Sequence, residues 1–211
     1  MQKIVIFDMD GTLIDSKKDL TISINYIRKA NHNLDPLSEE FVVKCINMQV
    51  RDLPFLFYGT KSYEQKDRDM FENHYAMQCI QNPYLYEGVR ETLEALVSAE
   101  VKISVATNAP TQFAVRMLRH LGVEDMFDLI IGADKVKVSK PDPEMLQVIL
   151  RHHHYDSTQD EAWMVGDNSK DMLSASNAGI GGIFATWGFS PQSEYPLSIA
   201  DPKEIISIVG I

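Results

Sequence analysis

Ile4-Val5-Ile6-Phe7-Asp8-Met9-Asp10-Gly11-Thr12-Leu13 is a short apolar run that ends abruptly in two carboxylates one residue apart, followed by a glycine. The run predicts a buried strand whose end delivers polar groups to a site. Residues two apart on an extended chain point to the same side, so Asp8 and Asp10 can face one small ligand while Met9 turns away. Gly11 lets the backbone approach a phosphate or a metal with no Cβ in the way. Taken alone, Asp-x-Asp-Gly also suits a turn or a calcium loop.

Further apolar runs at 101–106, 129–132, 163–166 and 180–186 are short and rich in Val and Ile. The segments between them are mostly long enough for helices. Continuous rather than alternating hydrophobicity fits strands covered on both faces, which predicts an α/β fold with a doubly wound, Rossmann-like parallel sheet. In such sheets ligands gather outside the carboxyl ends of the strands, where Asp8, Thr107 and Asp167 all fall.

Nearly ninety residues separate the first two of these strands, and residues 15–84 carry helical patterning. Leu20, Ile24 and Ile27 recur at helical spacing, as do Phe41, Cys45 and Met48, while Asp69, Glu72 and Asn73 mark a polar face. Pro36 and Pro54 punctuate the segment. It reads as a helical cap inserted into a core made of residues 1–14 and 85–211. Val89 to Glu100 reads as a core helix, and Asp201 to Val209 as a short helix packed on the sheet.

The chain has 211 residues, 45% of them hydrophobic, enough for a proper core without a disulfide or metal staple. With 30 acidic against 20 basic residues, the net charge of -10 opposes broad attraction to nucleic acid. Small molecules are the expected partners. Only Cys45 and Cys79 occur, with no Cys-x-x-Cys spacing, and the N-terminus opens on a strand pattern rather than a signal peptide. No apolar stretch reaches the ~18 residues of a membrane-spanning helix. A cytoplasmic protein is expected, as monomer or homodimer, with no membrane attachment.

Three later segments place phosphate-handling groups at or after apolar runs: Val105-Ala106-Thr107-Asn108, Ser139-Lys140-Pro141-Asp142 and Val165-Gly166-Asp167-Asn168-Ser169-Lys170-Asp171. In isolation Thr107 reads as a strand end and Lys140 as a solvated loop charge. Asp167 and Asp171 read as the N-cap and first-turn acid of the next helix. Together with the first stretch, and in this order, the four segments resemble the signature motifs of the haloacid dehalogenase-like hydrolase superfamily, from residue 3 to about residue 190.

The resemblance implies the following roles. Asp8 is a nucleophile that forms an aspartyl-phosphate and binds the metal. Asp10 protonates the leaving alkoxide, then takes a proton from water, and its carbonyl is a metal ligand. Thr107 and Lys140 hold the transferring phosphoryl group, helped by the amides of Met9 and Asn108. Asp167 ligates the metal, and Asp171 holds it through water or orients Lys140. The charge problem supports the cofactor independently. Like charges ~4 Å apart cost about 4 kcal/mol at an effective dielectric near 20, and carboxylate donors with phosphate oxygen suit Mg²⁺.

Within the superfamily, Asp10 argues for phosphoryl chemistry, since a halide leaving group needs no proton. Asp15-Ser16-Lys17-Lys18-Asp19-Leu20, with Trp187-Gly188 after the last strand, resembles phosphoglycolate phosphatases, and members with such an insertion carry a lid hinged here near 14–17 and 82–87. A β-phosphoglucomutase would show a histidine near position 20, and none occurs between 15 and 31. That transferase and a phospho-accepting signalling domain are the alternatives to a phosphatase of small phosphorylated metabolites. The cap loop Ile46 to Arg51 lacks the glycine-led turn usual in the family. Arg51, whose fork suits two oxyanion contacts, is the candidate for a substrate carboxylate. His152-His153-His154 reads as a solvated helix end, because successive helical residues face different ways. Tyr84 and Tyr86 read as packing residues.

Overall fold

The structure, a computed structural model, describes residues 1–48, 52–190 and 194–211. Its strands among these are β1 (Lys3–Phe7), β2 (Ile14–Asp15), β3 (Tyr84–Leu85), β4 (Lys102–Ala106), β5 (Leu129–Ile131), β6 (Glu161–Gly166), β7 (Gly181–Ala185) and β8 (Ser198–Ile199). Six of them form one parallel sheet in the order β5-β4-β1-β6-β7-β8. The five expected runs are five of its six strands, and the doubly wound α/β core is the fold. The strand order reverses direction at β1, which has β4 on one side and β6 on the other, so the crevice beyond its carboxyl end is the topological switch point.

The chain divides into two compact units, one of residues 1–15 and 84–211, the other of residues 16–83. In the first, parity along β1 distributes the core. Ile4 and Ile6 are inaccessible and pack with Met145, Leu146 and Ile149 of helix Glu144–His152 and with Ala175 of helix Ser169–Ala178. Phe7 has the opposite parity and lines a small cavity with Val89 and Leu93 of helix Val89–Ser98 and Ile205 of helix Glu204–Val209. Both faces of the strand are covered, which explains why its apolar run is continuous.

Three strands were not expected. β2 and β3 form a separate antiparallel ribbon of two residues each, and β8 adds two residues to the edge of the main sheet. Elements this short have no periodicity to read.

The second unit holds helices Lys17–His32, Glu39–Asn47, Leu53–Tyr58 and Gln65–Gln78. Ile24, Ile27, Val42, Cys45, Phe57 and Tyr58 form its core, with Leu20 packed against them. The expected apolar row of Phe41, Cys45 and Met48 is corrected here. Phe41 is exposed at the first turn, where its N–H is capped by Ser38, so Val42 takes the inward place and Met48 ends the helix. Buried Asp19 accepts hydrogen bonds from Gln78 Nε2 and from Asn82 N and Nδ2, tying the end of the unit to its start.

The histidine triplet ends its helix with His152 and His154 exposed as expected, and is corrected at His153. His153 is buried and its Nε2 lies 3.0 Å from Ser104 Oγ in the middle of β4. Ser104 interrupts an apolar strand and needs a polar partner there, and His153 provides it.

Candidate active site

Four chain segments meet beyond the carboxyl ends of β1, β4 and β6. Asp8 follows β1 and is held in line by its N–H, which donates to Val165 O at 2.8 Å. Thr107 follows β4, and its N–H donates to Ile131 O at 2.9 Å. Lys140 comes from the loop after β5. Asp167 follows β6, and Asp171 opens the next helix.

Lys140 joins these segments. Its ammonium donates to Asp8 Oδ1 at 2.7 Å, to Asp171 Oδ1 at 2.7 Å and to Ala106 O at 2.6 Å. Three acceptors use the full donor capacity of the group. Burial alone would lower the Lys140 pKa, but the Asp171 and Asp8 carboxylates outweigh it and hold the ammonium above its ordinary range. Asn108 fixes the lysine from behind: its Nδ2 donates to Lys140 O and its Oδ1 accepts from Lys140 N, both at 3.0 Å. The side chain of Asn108 is thus spent on the Lys140 backbone. Its main-chain N–H, like that of Met9, has no acceptor among the described residues.

The N-cap of helix Ser169–Ala178 is Asn168, not Asp167. Its side chain accepts from Lys170 N at 3.1 Å, while Asp171 Oδ2 accepts from Asn168 N at 3.1 Å and completes a capping box. Both oxygens of Asp171 are therefore engaged. Gly166 is needed because a Cβ there would run into the Asp171 side chain. Asp167 Oδ2 accepts from Phe189 N at 2.8 Å, whereas no donor among the described residues reaches Oδ1. Asp8 Oδ2 likewise lacks a donor.

Asp8, Asp167 and Asp171 are all buried, with carboxylate oxygens within 4.8 Å of one another. Three carboxylates face one ammonium. Burial pushes Asp167 well above the usual carboxylate range, Asp8 and Asp171 push it further, and the Phe189 N–H and Lys140 oppose the shift. Asp171 is also raised, by burial first, against the pull of Lys140. Such a donor set, all hard oxygen with excess negative charge and two free oxygens, fits a divalent cation of the Mg²⁺ type.

Asp10 lies in a turn built on one carbonyl: Met9 O accepts from the N–H groups of Thr12, Leu13 and Ile14. Asp10 is half-buried and bridges to Ile14. Gly11 has φ +88°, and a Cβ there would stand 2.5 Å from Asp167 Oδ2, so glycine serves both backbone and packing. Thr107 Oγ1 accepts from Ala109 N at 3.1 Å. Arg51 lies outside the described residues.

Tyr86 is an addition that sequence reading missed. Burial holds its phenol well above the ordinary range, and the charges of Asp15, Asp167 and Asp10 push it further the same way. Tyr84 also does more than pack, donating to Asp15 Oδ2 at 2.9 Å across the β2–β3 ribbon. Their spacing around the expected chain crossing, two aromatics flanking Leu85, was the available signal.

Residues 5–185 match the family model described as haloacid dehalogenase-like hydrolase. A phosphoglycolate phosphatase from Vibrio parahaemolyticus is 28% identical, the alignment covering 99% of this chain and 96% of that protein. One from Pectobacterium atrosepticum is 33% identical over 97% of this chain and 91% of its own length. Among solved structures, a protein from Haemophilus somnus described as a predicted phosphoglycolate phosphatase superposes with a TM-score of 0.81 at 26% identity, covering 98% of this chain and 97% of that one. The chain belongs to the haloacid dehalogenase-like hydrolase family, as a phosphatase of its phosphoglycolate phosphatase-like subgroup.

Proposed function

We propose that the protein is a Mg²⁺-dependent phosphatase that hydrolyses a small phosphate monoester, 2-phosphoglycolate or a close relative, through an aspartyl-phosphate on Asp8. The observation that carries this reading is the state of Asp8: one oxygen tied to the Lys140 ammonium, the other without a donor among the described residues, at the switch point of the sheet. A carboxylate held on one side and free on the other is oriented for attack.

In the first step one carboxylate oxygen of Asp8 bonds to phosphorus as the ester P–O bond breaks, and Asp10 delivers a proton to the departing alkoxide. In the second, Asp10 takes a proton from water as the water oxygen bonds to phosphorus. The acyl-phosphate P–O bond breaks, releasing inorganic phosphate and restoring Asp8. The main-chain N–H groups of Met9 and Asn108, with Thr107, donate to phosphoryl oxygens, and Lys140 orients Asp8 while offsetting phosphate charge. Asp8, Asp167 and the Asp10 carbonyl would hold Mg²⁺, with Asp171 acting mainly on Lys140, since both its oxygens are engaged. The cation, when bound, supplies the positive charge that lets a dianionic ester approach three carboxylates.

The reading of residues 15–84 as a cap over the substrate is supported by the separate compact unit at 16–83 and by the two-residue ribbon at its boundary. Arg51 of that segment is the proposed grip for a substrate carboxylate. Among the described residues no helix is long and apolar enough to cross a membrane. Two buried free cysteines support a reducing, cytoplasmic setting.

The test is Mg²⁺-dependent phosphate release from 2-phosphoglycolate beside a panel of sugar phosphates and an aryl phosphate. Repeated turnover with the highest kcat/KM on phosphoglycolate is expected, and Arg51→Ala should raise KM for that acid while sparing the aryl ester. Turnover spread evenly over the panel would remove the named substrate.

A further inference from the structure

The segment after β7 makes two contacts with the nucleophile loop and one with Asp167, and none of the four motifs accounts for them. Trp187 Nε1–H donates to Thr12 O at 2.9 Å. Phe189 N–H donates to Asp167 Oδ2 at 2.8 Å. Between them Gly188 packs so tightly that a Cβ would collide with the Gly11 carbonyl and stand 2.9 Å from Asp167 Oδ2.

The hydrogen bonds inside the Asp10–Gly11–Thr12 turn fix only one side of it. Thr12, Leu13 and Ile14 all donate to Met9 O, and Gly11 N donates to Ile14 O. The outward carbonyl of Thr12 has no other donor among the described residues, and Thr12 is 1% exposed. A buried carbonyl stripped of its donor is unfavourable, so the turn rests where the indole N–H can reach it. Asp10 is two residues from that anchor. A shift of the turn moves the Asp10 carboxyl relative to Asp8, which is held separately by β6 and Lys140.

We propose that Trp187 is a positioning residue for Asp10: its indole N–H, bonded to Thr12 O, holds the turn where Asp10 can pass a proton to the leaving group. The inference rests on the phosphatase reading, with Asp10 as the acid. It predicts a loss confined to esters that need that proton. An alkoxide requires protonation as it leaves, whereas 2,4-dinitrophenolate does not.

The experiment compares kcat/KM, which reports phosphoryl transfer to Asp8, for the best alkyl phosphate of the panel and for 2,4-dinitrophenyl phosphate. Trp187→Phe removes the N–H. Replacement of Trp187 by β-(3-benzothienyl)alanine removes it while keeping the bicyclic ring, so a packing defect in the first variant does not decide the outcome. Thermal unfolding of each variant checks the fold. The expected result is a fall of about tenfold or more on the alkyl ester, with the dinitrophenyl ester within about threefold of the unsubstituted protein. Equal losses on both esters, or none on the alkyl ester with the benzothienyl side chain, would overturn the positioning role and leave the phosphatase reading intact. Absence of turnover on either ester by the unsubstituted protein would remove both.

Discussion

Lys140 Nζ lies 2.7 Å from Asp8 Oδ1, a contact between residues 132 positions apart in which the lysine side chain is only 2% exposed. The pair joins the loop after β5 to the end of β1, and it orients the proposed nucleophile. Replacing Lys140 by Met keeps most of the length of the side chain and removes the ammonium bonded to Asp8 and Asp171. Breaking a buried pair in this way costs about 3–5 kcal/mol of stability, and turnover should fall by about two orders of magnitude or more. Urea unfolding in metal-free buffer and phosphate release measure the two effects. A stability change under about 1 kcal/mol would show that the charges are not coupled as the geometry requires.

The raised pKa of Asp167 ties cation binding to pH. Its folded value lies above its unfolded value, so the protonated form stabilises the metal-free protein at low pH. That contribution is lost as pH rises through the folded value. A divalent cation takes the ionised carboxylates as ligands and displaces the proton. Mg²⁺ should therefore raise the unfolding temperature more at neutral pH than in acid. Scans with and without Mg²⁺ across that range test this, and a stabilisation independent of pH would contradict it.

His153 predicts the opposite slope. Burial lowers its pKa below the ordinary value of 6.5, so the unfolded chain binds the proton more readily than the native one. The stability this neutral imidazole allows is fully present above about pH 6.5 and is lost as pH falls toward the folded value. A double variant, His153→Leu with Ser104→Ala, removes the polar pair together and leaves no orphaned hydroxyl. Its stability should decline less than that of the unsubstituted protein between about pH 7.5 and about pH 5. Parallel declines in urea midpoint would refute the assignment.

The sheet was legible wherever burial on both faces left an unbroken apolar run, as in Ile4 to Phe7 and Ala162 to Gly166, and each such run ended on a carboxylate of the site. Lys140 could be named from its neighbours, but its contact with Asp8 depends on where β5 leads the chain. His153 was misread because the triplet was judged by helix geometry alone. Ser104, a hydroxyl inside an apolar strand, was the clue to its burial. Asn168 as the N-cap and Trp187 as the donor to Thr12 were hidden for a different reason. Each acts through a single directed hydrogen bond, and such bonds follow from backbone placement rather than from hydrophobic period. Tyr86 was reduced to packing because its acidic neighbours come from residues 10, 15 and 167.

The central claim is that phosphate passes through Asp8. The most direct measurement is rapid acid quench during the first turnover of the best substrate with Mg²⁺, followed by mass spectrometry of the peptide that carries Asp8, with Asp8→Asn protein run in parallel. The account predicts a phosphoryl group on Asp8 in the unsubstituted protein, and neither label nor turnover in the variant. Repeated phosphate release with no phosphorylated Asp8, and with Asp8→Asn still turning over, would contradict it.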